Sequence, residues 1–223
     1  MLAIIHARMS SNRLPGKVLM PLGEKTILEI IYDRVSMAST ISKIVVATSI
    51  ETSDDPIAFF CQKKKLNCFR GSLDNLQSRM FQTLKFYGEQ SFVRICGDSP
   101  FIDPSLIDLA SNLYDQGNFD VVTNTQIRSF PKGQSIEVIS KNLMEPGKFD
   151  DLPDWSCEHL CQGVYSNYTQ FSILNFSSGF DLGDRQMSID TELDYKNAQK
   201  IFHNSSSPPL NWYEAFNLLA GES

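Results

Sequence analysis

The sequence predicts an α/β protein with a central, mostly parallel sheet and helices on both of its faces. Short β-branched runs alternate with runs of helical period five times before residue 125, the pattern of a doubly wound sheet. The connections are long enough for right-handed crossovers. Asp-Pro pairs, which place a capping carboxylate before a Pro at the first helical position, open two of the helices.

LAIIHA is the first strand, and it runs into the polar stretch ARMSSNRLPGK. TILEIIYDRVSMA has helical periodicity, with Thr26 and Glu29 spaced as a capping box. KIVVAT is a buried strand, and Asp55 with Pro56 starts a helix through about Lys65. LNCFRG is the third strand, and Asp74 can cap a helix that runs to about Tyr87. SFVRIC is the fourth, ended by Gly97, and Asp103 with Pro104 opens a helix through Tyr114. FDVVTN is the fifth strand. Beyond it the alternation loosens: QSIEVIS, FSILNF and RQMSID read as short strands, and TELDYKNAQKIF and LNWYEAFNLLA as helices separated by NSSSPP.

The chain has 223 residues, enough for one domain with a sizeable core. Its net charge of −6 argues against a nucleic-acid partner, which calls for a basic face. An anionic substrate must then be held by a local cluster of cations. No apolar run is long enough to span a bilayer, and MLAIIHARM lacks the features of a signal peptide. The five cysteines lie inside strand- and helix-like segments and read as reduced thiols, which points to a cytoplasmic protein.

In an open parallel sheet, ligands bind beyond the carboxyl ends of the strands. Three polar stretches fall there: ARMSSNRLPGK, FRGSLDN and ICGDSPFID. The first carries Arg8, Arg13 and Lys17 with Ser10 and Ser11 between them, a donor set suited to a polyphosphate; a solvated loop with surface cations is the alternative. It is neither a Walker sequence nor a GxGxxG fingerprint. In the third stretch, Gly97 permits close backbone approach, and Asp98 can serve a hard divalent ion or simply close a turn. Asp190 is a candidate second carboxylate; it or Thr191 could instead cap the helix that follows.

These stretches carry a resemblance. IIHARMSSNRLPGKVL resembles the nucleotide-binding signature of the sugar-acid cytidylyltransferases, enzymes of acylneuraminate and 3-deoxy-manno-octulosonate, and is most similar to their spore-coat polysaccharide relatives. Asp54-Asp55-Pro56, Phe69-Arg70-Gly71-Ser72, Gly97-Asp98-Ser99-Pro100 with Ile102-Asp103-Pro104, and Asp190-Thr191-Glu192-Leu193-Asp194 follow in that family's order. The resemblance implies a nucleotidyltransferase fold, Rossmann-like and of GT-A type in three layers, with a small second lobe. It implies one domain, with 1–125 as the nucleotide-binding half and 126–223 as the acceptor-binding and dimerisation half. The implied reaction moves CMP from CTP to a sugar acid and releases pyrophosphate. Arg8, Ser11, Arg13 and Lys17 would hold the triphosphate, together with the backbone of Ala7 and Gly97. Arg70, Ser72 and Arg79 would lie near the cytosine and ribose, and Asp98 and Asp190 would be paired Mg²⁺ ligands. Arg8, Lys17 and Asp98 would act in catalysis.

Three positions depart from the family's pattern: His6, where Pro or Gln is frequent, Ser10, where Gly is frequent, and Ser135, where Asp is frequent. A side chain at position 10 is strained if the backbone there requires positive φ. Gln134, Glu137 and His159 are the residues expected at the acceptor. A non-sugar acceptor, such as a phosphonate or polyol phosphate, and a non-catalytic CTP-binding protein are the alternatives. Cys157 and Cys161 flank Glu158-His159 at a spacing that matches no common zinc pattern. Lys63-Lys64-Lys65 suits the end of a helix dipole. Trp212, Tyr213 and Phe216 have helical spacing, and their helix is a candidate homodimer face.

Overall fold

The computed structural model describes residues 1–149, 151, 161–204 and 211–220. Strand β1 (Leu2–His6) leads through the cationic loop to a short ribbon, β2 (Pro21–Leu22) and β3 (Lys25–Thr26), and then to helix α1 (Ile27–Ser36). Next come β4 (Lys43–Ser49), α2 (Asp55–Lys64), β5 (Cys68–Gly71), α3 (Leu76–Tyr87), β6 (Ser91–Cys96) and α4 (Pro104–Gln116). The chain continues with β7 (Val121–Thr123), β8 (Glu137–Ser140), α5 (Gln162–Ser166), β9 (Ile173–Asn175), α6 (Glu192–Asn204) and α7 (Trp212–Ala220).

The main sheet has the order β5-β4-β1-β6-β8-β7-β9. Strands β5, β4, β1 and β6 are parallel neighbours, as the alternation predicts. FDVVTN forms a strand but does not lie beside SFVRIC. Strand β8 sits between them, antiparallel to both. Val138 and Ile139 are fully buried on opposite faces of β8, so EVIS suits the interior of a sheet as well as β7 does. FSILNF supplies the edge strand β9, parallel to β7. RQMSID forms no strand among the described residues; Gln186 makes a single bridge with Lys132.

Side chains alternate across the sheet. Ala3, Ile5, Val46, Val93 and Val138 face a core built with α1, α2, α4, α6 and α7. Leu2, Ile4, Val45, Phe92 and Ile139 face a smaller core with α3 and α5. The sheet is therefore the middle of three layers. Residues past 125 add to both cores, for example Tyr195, Ala198 and Ile201 of α6 in the larger one.

Capping follows the sequence with two changes. The Thr26 hydroxyl accepts from Glu29 N–H and Asp103 from Ser105 N–H, as expected. Asn75, not Asp74, caps α3, accepting from Ser78 N–H at 2.7 Å. Helix α2 begins at Asp55, and the carboxylate before it, Asp54, makes no cap bond because it is used elsewhere. The side chain of Lys64 pairs with Glu29 at the end of α2, and Lys65 closes that helix with φ of 57°. Among the described residues no helix is long and apolar enough to cross a membrane.

Candidate active site

A cleft of about 360 Å³ opens beyond the carboxyl ends of β1 and β6, within the range of about 300–1,000 Å³ usual for small-ligand sites. Its first wall is the loop after β1. Leu14 and Val18 are buried and anchor this loop, while Arg8, Ser11, Asn12, Arg13 and Lys17 line the cleft. Met9 O accepts from both Ser11 N–H (3.0 Å) and Gly16 N–H (2.9 Å), which folds the loop on itself. Gly16, at φ 73°, makes the turn that delivers Lys17. Ser10 does not have positive φ, so the side chain there carries no strain of that kind.

Asp54 fixes the loop from below. It is fully buried, and its carboxylate accepts from Met9 N–H at 2.7 Å and from Ser49 N–H at 3.2 Å. One side chain thus ties the cationic loop to the end of β4. The Asp54-Asp55-Pro56 run marks this residue in the sequence, but nothing local shows which carboxylate turns inward.

The centre of the cleft is an ionic cluster. Lys17 Nζ donates to Asp98 Oδ2 (2.8 Å), Asp190 Oδ1 (2.9 Å) and the carbonyl of Ile189 (2.8 Å). Arg13 lies 3.2 Å from Asp190 Oδ1. Burial works against the charge on Lys17, but Asp98 and then Asp190 more than offset it and raise the ammonium above its ordinary value. Burial likewise opposes the charge on Asp190, and its bond from Lys17 holds the carboxyl below the usual range. Asp98 and Asp190 lie 92 positions apart in the chain. Their meeting depends on Ile189 N–H, which donates to Asp98 O at 2.8 Å.

The sequence left Asp190 open between ligand and helix cap. Here the cap is made by its neighbours: Asp194 accepts from Thr191 N–H and Oγ1 (both 2.8 Å), and Thr191 accepts from Asp194 N–H. Asp194 also accepts from Asp190 N–H at 3.1 Å, so only the backbone of Asp190 joins the cap and its carboxylate faces the cleft.

Gly97 lines the cleft and has a further reason to be glycine. A Cβ there would lie 2.8 Å from His6 O and 3.0 Å from the Ala7 Cβ. Gly97 N–H donates to His6 O at 3.0 Å. The absent side chain lets the two strand ends close on each other, which sets Asp98 against the loop.

The second wall carries Leu73, Leu76 and Arg79. Arg79 is almost fully buried; Nη1 donates to Ser72 O, and Nε has no partner. Burial pushes its guanidinium down to about 10, with Asp54 opposing and Arg8 adding repulsion. Arg70 and Ser72 do not line the cleft. Arg70 donates to the carbonyls of Ser49 and Glu51 and pairs with Asp55 at 2.7 Å, so it braces the loop after β4. Ser72 Oγ accepts from Asn75 N–H in the turn before α3.

The floor holds two residues that the sequence reading left out of the site, His6 and Arg94. Arg94 Nε donates to His6 Nε2 (3.3 Å), and Arg94 Nη1 pairs with Glu137 Oε2 (2.5 Å). Glu137 Oε1 accepts from Tyr165 (2.7 Å) and Thr125 (3.2 Å). Burial, then the surrounding arginines and Lys17, hold the His6 imidazole well below its ordinary value, so it is neutral near pH 7. An arginine inside the apolar strand SFVRIC is the one signal in the sequence for this row, because a buried guanidinium requires a carboxylate.

Of the three residues expected at the acceptor, Gln134 and Glu137 do not line the cleft. Gln134 is fully buried; its amide donates to Phe101 O (2.6 Å) and accepts from Asp103 N–H (3.0 Å), so it joins α4 to the core. Glu137 is buried beneath Arg94 and reaches the cleft only through it. His159, with Cys157 and Glu158, lies outside the described residues. Cys61, Cys68, Cys96 and Cys161 are free thiols. Trp212 packs edge-on against Phe130 and Tyr213 stacks on Phe180, so this helix is anchored by aromatic packing.

Comparison with known proteins bears on the family and the fold. Residues 2–145 match the family model described as cytidylyltransferase. The chain is 31% identical over 216 residues to the spore coat polysaccharide biosynthesis protein SpsF of Bacillus subtilis (strain 168), covering 93% of this chain and 88% of that one. It is 32% identical over 111 residues to a 3-deoxy-manno-octulosonate cytidylyltransferase of Solibacter usitatus, covering 49% and 42% of the two chains. A solved cytidylyltransferase from Leptospira borgpetersenii superposes with a TM-score of 0.90 at 30% identity, over 99% of this chain and 94% of that one. The CTP complex of CMP:2-keto-3-deoxy-manno-octonic acid synthetase has the same fold, with a TM-score of 0.70 at 16% identity over 91% and 98%. A parallel sheet with a cationic loop and two convergent carboxylates at its carboxyl edge, matched over most of its length, makes this chain a member of the cytidylyltransferase family and a CTP-dependent enzyme.

Proposed function

We propose that this cleft transfers CMP from CTP to a sugar acid, an ulosonic or nonulosonic acid, for the synthesis of a surface polysaccharide. The observation that carries the proposal is the Lys17–Asp98–Asp190 cluster beside the Arg8–Arg13 loop. Arg8, Ser11, Arg13 and Lys17 would bind the triphosphate, with Ala7 and Gly97 lining the cleft beside it. Arg79 would face the nucleoside from the second wall of the cleft. The acceptor oxygen bonds to the α-phosphorus as the bond to pyrophosphate breaks. Charge grows on the phosphoryl oxygens and the leaving group, so preorganised cations do most of the work.

The donor set fits a hard divalent ion. Asp98 and Asp190 already hold one cation between them, the Lys17 ammonium, and two carboxylates plus phosphate oxygens are the usual ligands of Mg²⁺. Bound there, Mg²⁺ would neutralise triphosphate charge and polarise the α-phosphate. A relative named for spore coat polysaccharide biosynthesis and one named as a 3-deoxy-manno-octulosonate cytidylyltransferase support the acceptor class. A homodimer through α7, on which Tyr213 and Leu218 are exposed, and a cytoplasmic location belong to the same reading.

The test is pyrophosphate release from CTP and Mg²⁺ with a panel of ulosonic and nonulosonic acids, and with phosphonates and polyol phosphates alongside. Turnover with a sugar acid is expected. Release only with the other acceptors would move the acceptor class, and CTP binding without any turnover would leave a nucleotide-binding protein.

A further inference from the structure

Every oxygen of the two cleft carboxylates already holds a donor. Asp98 Oδ2 and Asp190 Oδ1 accept from Lys17 Nζ at 2.8 and 2.9 Å. Ser99 Oγ donates to Asp98 Oδ1 at 3.1 Å, and Gln186 Nε2 donates to Asp190 Oδ2 at 3.2 Å. The third Lys17 donor is on Ile189 O, so the ammonium is fully satisfied where it is. Its side chain is 9% exposed. A lysine in this position uses its whole bonding capacity on the atoms a metal would need.

A Mg²⁺-like ion binds carboxylate oxygen at about 2.0–2.1 Å and requires near-octahedral order. It could not share both oxygens with an ammonium bonded to them without two cations coming into near contact. A triphosphate changes the balance. It offers Lys17 new anionic oxygens, and the four-carbon stem lets the ammonium swing to them without moving the backbone. Asp98 Oδ2 and Asp190 Oδ1 then lose the ammonium together, and Asp190 Oδ1 keeps the exposed Arg13 guanidinium at 3.2 Å.

We infer that Lys17 is an internal cation that closes the Asp98–Asp190 site to divalent metal until a polyphosphate draws its ammonium away. This rests on the reading of the cleft as a triphosphate and metal site. It makes Lys17 a positioning residue for the metal as well as a phosphate ligand. Metal and nucleotide then bind with positive coupling, and the coupling is reciprocal. The enzyme would hold little metal without nucleotide, which keeps the two carboxylates from being fixed on an unproductive ion.

The experiment measures Mn²⁺ binding to the full chain without nucleotide, by the loss of the free-ion electron paramagnetic signal. The wild type is expected to bind weakly. Lys17→Met should bind about thirtyfold more tightly, the gain from removing one positive charge near a divalent ion under water-like screening. Adding Asp98→Asn to Lys17→Met should abolish that gain. A folded Lys17→Met that binds Mn²⁺ no better than wild type overturns the inference, as does a gain that survives Asp98→Asn. Lys17→Gln is the second variant if Lys17→Met does not fold. If neither folds, the side-chain NMR signals of Lys17 in the wild type decide: a shift with CTP but not with Mg²⁺ alone supports the inference, and a shift with Mg²⁺ alone overturns it. Failure of the nucleotide reading shows separately, as no CTP binding by the wild type, and leaves the Mn²⁺ comparison intact.

Discussion

Two ionic clusters flank the carboxyl end of β6, and they are built for different ends. In the cleft, Lys17 faces two carboxylates that are 26% and 25% exposed, with Arg13 at the rim. Beneath the floor, Arg94 faces one carboxylate, Glu137, that is 8% exposed. The deep pair is neutral, and Tyr165, Thr125 and His6 complete its bonds. The cleft cluster has one carboxylate more than its buried cation can balance, and water reaches both. A cluster with partly exposed anions can exchange one cation for another. A closed neutral pair can only be kept or broken. The first is suited to chemistry and the second to holding β6, β8 and α5 in register beneath it.

Substitution should separate the two sharply. Asp98→Ala is expected to lower CTP turnover by about two to three orders of magnitude, by loss of electrostatic stabilisation. Its melting temperature should stay near that of the wild type, because the carboxylate is partly solvated. Equal loss of stability and turnover would break the distinction. Glu137→Gln should do the reverse. It leaves Arg94, half-buried at the cleft floor, without its counter-charge and should cost up to about 3–5 kcal/mol in denaturant unfolding, the range for breaking a buried pair. A cost within error of zero would mean that Arg94 finds another partner.

Asp54→Ala lies between the two cases. It frees Met9 N–H and Ser49 N–H and should cost about 1.5–3 kcal/mol, the range for hydrogen bonds to a charged group. Because Met9 belongs to the cationic loop, KM for CTP should rise as well, and steady-state kinetics would show it. An unchanged KM would mean that Leu14 and Val18 suffice to hold the loop.

The smallest effect is in pH dependence. The folded value of His6 is depressed, so between that value and the ordinary 6.5 the unfolded chain binds more protons. Stability should therefore fall as pH drops below about 6.5, by at most about 1.4 kcal/mol per pH unit. His6→Gln should flatten that limb in thermal melts across pH 5–7. Glu137 is also depressed, its buried carboxylate favoured by Arg94, and its contribution holds above 4.5 and is lost as pH falls through its folded value. A limb between pH 5 and 7 that survives His6→Gln would assign it to another group.

Much of the site was legible in ARMSSNRLPGK and ICGDSP, because cations and a carboxylate placed at strand ends are local signals. Arg8, Ser11, Arg13, Lys17, Arg79, Asp98 and Asp190 do line one cleft. Arg70, Ser72 and Gln134 were expected there on the family resemblance, yet each spends polar atoms on backbone groups. His6 and Arg94 were missed. They sit within apolar strands, where a polar residue reads as an exception rather than as part of a floor shared by β1, β6 and β8.

The sequence alone determined the alternation of strands and helices, and with it the edge of the sheet at which a ligand binds. Hydrophobic period and helix caps act over a few residues, so they can be read without the fold. Tertiary structure alone decided that β8 enters between β6 and β7, and that Asp98 and Asp190 meet on Lys17. Both depend on contacts between distant segments, such as the hydrogen bond from Ile189 N–H to Asp98 O. No local propensity encodes them, and packing selects them only once the sheet has formed.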